Sequence, residues 1–107
     1  MDFEKLLKEL QTVLQELFKN KYKDFEKEAK KDIDQFLKES RDKLERWTVL
    51  LSNKDITIDD FEWLVKSQKD LLLMKTLHNA GVNKISLGHF KNKIIKTIIN
   101  TIISVVL

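Results

Sequence analysis

An apolar residue returns every eleven positions through the first half of this chain, and that period restricts the fold more than any other feature. Phe3, Leu14, Phe25, Phe36 and Trp47 form one row. Leu7, Phe18, Ala29, Ser40 and Leu51 form a second, thinned at Ala29 and Ser40, and Tyr22, Ile33 and Leu44 form a third. Eleven residues in three turns is about 3.67 per turn, so such rows run nearly parallel to the axis of a straight or weakly right-handed α-helix. The pattern demands a long amphipathic helix with something packed along it. Over residues 3–18 a seven-residue repeat with a broader apolar face is superimposed, built from Phe3, Leu6, Leu7, Leu10, Val13, Leu14, Leu17 and Phe18.

The chain has no Pro and two Gly, at positions 81 and 88, so its helices run without the usual interruptions. Periodicity and end signals predict three helices, over about 3–52, 58–80 and 87–107. Asp2 suits the N-cap of the first, Thr57 that of the second and Ser86 that of the third. Asp59 and Asp60 fall in the first turn of the second helix, where the helix dipole favours acid. Gly81 suits the left-handed position beyond its end, with Val82 supplying the accompanying apolar contact. Acid-before-base pairs four apart (Glu4–Lys8, Glu26–Lys30, Asp34–Lys38, Glu39–Lys43 and Asp42–Arg46) read as a solvated face.

Length forces a choice. Fifty residues of unbroken helix span about 75 Å, whereas a compact chain of this size has a radius of gyration of roughly 13 Å. Either the first helix breaks in its most polar stretch, residues 19–24, and the chain closes into a four-helix bundle, or residues 3–18 project and meet another chain. Both arrangements are all-α: one domain over residues 1–107, a helical bundle with a long N-terminal helix and a C-terminal helical hairpin.

With 42% hydrophobic and 35% charged residues, the composition fits a folded, highly charged helical protein better than a disordered one. The charge is uneven. Residues 1–70 hold all 17 acidic groups against 15 Lys and Arg, while residues 71–107 hold five Lys, two His and no acid. The absence of cysteine excludes disulfides and thiolate metal sites. The opening residues, Met1 to Lys5, lack the basic-then-apolar order of a secretory signal, and a cytoplasmic location, in one reading peripheral to a membrane, is the expectation.

Catalytic chemistry finds little to stand on. There is no phosphate-cradling glycine loop, serine-nucleophile elbow or His-Glu-x-x-His motif. His78 and His89 lie eleven apart with no acidic residue after Asp70, short of the three or more ligands a zinc site takes. Glu28, Asp32 and Glu39 fall on the solvent side of the helical pattern. Neither enzyme activity nor a cofactor is expected.

What remains is a non-catalytic self-assembly or protein-interaction module, its partner a second copy or another helical protein. The expected seam is Phe3, Leu7, Leu10, Leu14 and Leu17, with a further contact through Leu71, Met74, Ile95, Ile99 and Ile103. Leu71-Leu72-Leu73-Met74 would point in every direction on a helix, so the second helix is expected to be buried on more than one side. The alternative is a membrane-associated protein whose Ile-rich third helix lies in the interface with Lys84, Lys91, Lys93 and Lys96 at the headgroups. The eleven-residue period is similar to that of exchangeable lipid-surface proteins, but the likeness ends there, because the Phe, Trp, Ile and Leu content favours a permanent protein core. A third reading, a lysine-based nucleic-acid accessory, is disfavoured: Lys outnumbers Arg 18 to 2, and bidentate reading of bases prefers Arg.

Overall fold

The choice between a broken and a projecting first helix is settled at Tyr22. The computed structural model describes residues 2–107. Helix α1 runs over Phe3–Lys21, a single 3₁₀ turn covers Lys23–Phe25, and α2 runs over Glu26–Ser52. The two pack together as an antiparallel pair, so the eleven-residue rows fold back on themselves. No Gly or Pro makes this corner; long-range packing does. Tyr22 and Phe18 both meet Phe90 edge-on, with ring centres 5.2 and 4.6 Å apart, and the Tyr22 hydroxyl lies 2.8 Å from Ser86 Oγ. Such aromatic pairs add about 0.5–1.5 kcal/mol each beyond burial.

The rows point inward as the period requires. Leu14, Phe36, Phe18, Ile33 and Leu44 are buried, and so are Ala29 and Ser40, the thin positions of the second row. Small side chains there leave room for neighbouring helices. The Ser40 hydroxyl has no hydrogen-bond partner in this core. Each fully buried Leu, Ile or Phe contributes roughly 1.5–3 kcal/mol of transfer free energy. Together they hold α1, α2 and the elements that follow in a particle of 42 × 23 × 20 Å with a radius of gyration of 13.7 Å. The 27 residues of α2 set the long dimension.

Asp2 caps α1 through the amides of Glu4 and Lys5, and Thr57 forms a reciprocal capping box with Asp60 at the start of α3, Ile58–Lys66. Between them, α2 ends in a Schellman turn: Asp55 N–H donates to Leu50 O at 2.9 Å and Lys54 N–H to Leu51 O at 3.1 Å. Lys54 occupies the left-handed position at φ 62° without a glycine's freedom. Lys54→Gly should therefore stabilise the fold by about 0.5–1 kcal/mol, after allowing for the extra freedom glycine gains in the unfolded chain. A calorimetric melting temperature that falls instead of rising would contradict the turn geometry.

The predicted second helix is not continuous. It stops at Lys66, passes through a 3₁₀ turn at Lys69–Leu71 and an irregular turn over residues 72–74, and resumes as the five-residue α4, Lys75–Asn79. The apolar run explains the break. On a helix, Leu71, Leu72, Leu73 and Met74 would face four directions; here Leu73 N–H donates to Leu71 O at 3.0 Å, and this tight turn with the left-handed Met74 sorts them into two inside and two outside. Leu72 and Met74 are buried, whereas Leu71 and Leu73 are exposed. Met74 itself takes a left-handed conformation, φ 49°, with its side chain held in the core.

Asp32 completes this rearrangement. It was expected on the solvent side and is buried instead. Its carboxylate accepts from Thr76 N at 3.0 Å and Leu77 N at 2.8 Å. A residue of α2 thus supplies the N-terminal cap that α4 lacks locally. Gly81 closes α4 at φ 105°, with Val82 N–H donating to Leu77 O at 3.1 Å and Val82 buried, as the sequence predicts.

The last helix, α5, spans Lys84–Val106, three residues earlier than expected, because Asn83 caps it through the amide of Ile85. Ser86, the predicted cap, lies inside the first turn and faces Tyr22. Ile94, Ile95, Ile98, Ile99 and Ile102 insert into the core. α5 touches α1, α2 and α3, and all of these elements are helical, with no strand among the described residues.

Candidate functional site

Exposed charge on this bundle is mostly unpaired, so the surface has to be read by where charge and apolar groups coincide. The ion pairs of the described residues all belong to Arg41, which binds Glu4, Asp42 and Glu45 and lies 5.6 Å from the centre of the Phe3 ring. The hydrogen bond to Glu4 raises the Arg41 pKa above the ordinary arginine value. This cluster pins the start of α1 to the middle of α2. The predicted pairs along α1 and α2 are not formed; Glu39, for example, accepts from Gln35 Nε2 at 2.7 Å.

The N-terminal seam is occupied from within. Phe3, Leu10 and Leu14 are buried in the chain's own core, and Leu7 and Leu17 pack partly against it. Met74 is buried as well, Ile103 is half-buried, and Leu71 is exposed. His78 and His89 are both exposed, and the described residues contain no cluster of three or more His, Asp or Glu able to hold a metal ion.

Ile95 and Ile99 do come together with surface groups. Between α3 and α5 runs an open trough of about 620 Å³. Glu62, Lys66 and Lys69 form one wall, spaced four and three residues apart so that they share one face of the chain. Asn92, Lys96 and Asn100 form the other, again at four-residue spacing, with Ile95 and Ile99 at the floor. Both isoleucines are 3% exposed, so the floor is the outer edge of the core itself. Lys66, Lys69 and Lys96 give the trough a positive balance against Glu62 alone.

Trp63 does not line this trough and presents the neighbouring, outward face of α3. It is 70% exposed, one position past Glu62 and one turn before Lys66. Its helical phase is opposite to Phe61 and Val65, the two residues through which α3 enters the core. Large exposed indoles are uncommon on a folded surface and are enriched where partners bind.

On sequence alone, Ile95 and Ile99 read as a contact with another chain and Lys96 as a headgroup contact, while Glu62, Lys66, Lys69, Asn92 and Asn100 are assigned to no site. The available signal was the helical wheel of residues 58–66, on which Trp63 points away from Phe61 and Val65. The wall opposite required knowing that α3 and α5 are neighbours. Of the predicted anionic-surface contacts, Lys84, Lys93 and Lys96 are exposed and Lys91 is half-buried. No described helix is long and apolar enough to cross a membrane.

Comparisons with protein-family models, with curated proteins and with solved structures found no match for this chain.

Proposed function

We propose that this chain is a non-catalytic protein-interaction module whose α3–α5 trough receives an acidic amphipathic helix from a partner protein. The observation that carries the reading is the trough itself, three unpaired lysines around an isoleucine floor, with Trp63, 70% exposed, on the neighbouring face of α3. An apolar face with carboxylates on its flanks complements that surface: leucines on the floor and acids against Lys66, Lys69 and Lys96, with the indole exposed on the adjoining face of α3. Interface affinity concentrates in a few desolvated aromatic anchors. Trp63 is the natural anchor here, and the lysines set sign and register.

Self-association through Phe3, Leu10 and Leu14 is not part of this reading, because those side chains already pack inside the chain. A partner using them would first have to displace α2.

The experiment uses a Trp47→Phe background, leaving Trp63 as the one indole, and a synthetic helix with leucines at i, i+3, i+4 and i+7 and glutamates on its flanks. Saturable binding with a blue shift of Trp63 emission is the expected result. Lys66→Glu with Lys96→Glu should weaken it by at least about tenfold. A lysine-flanked version of the same peptide should not bind the parent protein. Absence of binding, or equal binding of the acidic and basic peptides, would overturn the proposal.

A further inference from the structure

We infer that the end of the bundle where α1 stops and α5 starts docks end-on against an anionic lipid surface. The contact between Tyr22 and Ser86, 2.8 Å apart, brings the two helix ends together although 64 residues separate them in sequence. Beside that contact is a cleft of about 570 Å³ whose lining contains Lys21, His89 and Lys93 and no acidic residue. Lys84 adjoins it in sequence, and Lys23 belongs to the turn after α1, while Lys19 lines a separate small cavity with Glu26. None of these lysines has a carboxylate partner within 4.0 Å among the described residues. Asp24, Glu26 and Glu28 are also near this end, and none of them lines the cleft.

Ile85 decides which kind of anion fits. It is 72% exposed, the largest value among the exposed large hydrophobic side chains, and it lines the cleft alongside the lysines. Against a nucleic-acid backbone an isoleucine at that place gains nothing. At a bilayer surface it enters the acyl boundary while the flexible lysine stems leave their ammonium groups at the phosphates. The cations named here are lysines, point charges suited to phosphate groups without base reading. The end face measures about 23 × 20 Å, and the 42 Å axis would then stand away from the membrane.

This differs from an α5 lying flat in the interface. The Ile stripe of α5 is in the core, and Lys96 belongs to the trough with α3. A flat α5 would have to leave the bundle; the end-on contact uses only groups already at the surface. The inference does not rest on the trough, which lies along the side of the particle.

The test is co-flotation of the full chain at low salt with vesicles of phosphatidylcholine alone or with about 30% phosphatidylserine. Binding to the serine-lipid vesicles that weakens with added salt is expected. The triple variant Lys21→Gln, Lys84→Gln, Lys93→Gln should lose roughly 100-fold in partitioning, about fivefold per lysine. Ile85→Ser should lose about tenfold, with circular dichroism unchanged in both. A control removing the same charge elsewhere, Lys8→Gln, Lys43→Gln, Lys54→Gln, should bind nearly as the parent does. No binding by the parent, equal loss in the control, or full retention by Ile85→Ser would each overturn the inference. Tighter binding of soluble heparin than of vesicles would overturn the lipid assignment.

Discussion

Leu10→Asp unfolds the chain and does not merely alter its assembly. Leu10 has no solvent exposure and sits in the face of α1 that meets α2. The substitution removes a buried aliphatic side chain and places a carboxylate where no cation stands ready. Losing the side chain alone costs about 2–5 kcal/mol, and an unpaired buried charge adds several more or forces protonation. A domain of this length has roughly 5–15 kcal/mol of stability in total. Far-ultraviolet circular dichroism and thermal melting are the measurements: the variant should lose its cooperative transition. Had residues 3–18 projected toward another chain, the same change would lower the particle mass and leave the helices intact. A variant that keeps the parent's melting temperature would refute the placement of α1.

The second large effect is at Asp32. Asp32→Ala leaves the amides of Thr76 and Leu77 buried or half-buried without their acceptor. Each orphaned donor costs about 1–3 kcal/mol, so a loss of roughly 2–4 kcal/mol is expected after local relaxation. The damage should be concentrated. Hydrogen exchange at Thr76 and Leu77 should accelerate far more than exchange in the middle of α2, because α4 has five residues and no cap of its own. Asp32→Asn keeps one carbonyl acceptor and should fall between the two. Unchanged protection of both amides in Asp32→Ala would show that the carboxylate is not the cap.

How these two residues were legible differs, and the difference is physical. Leu10 belongs to a repeat, and repeats reveal burial before any partner is known. The same holds for Ala29 and Ser40, whose smallness in a greasy row marks a close approach. Thr57 and Gly81 were equally readable, since capping is decided within a few residues. Asp32 was not. Its partners lie 44 and 45 positions away, and by local pattern it is one more acid on a charged helix. The break after Lys66 was hidden for a related reason. Four consecutive apolar residues carry no period, and only the core they approach decides that two go in and two stay out. The candidate trough shares this limit: each wall is visible as a stripe, but their pairing is a property of the packed bundle.

The aromatic corner has a further consequence for how the molecule comes into being. The α1–α2 pairing lies within residues 3–52, but the ring packed against its corner at Tyr22, Phe90, comes from α5. A nascent or truncated product ending before that point keeps the α1–α2 face and the Arg41–Glu4 pair but lacks the aromatic contact at the bend. The corner is thus completed only when α5 is present, and a fragment lacking α5 leaves Phe18 and Tyr22 without the ring that packs against both.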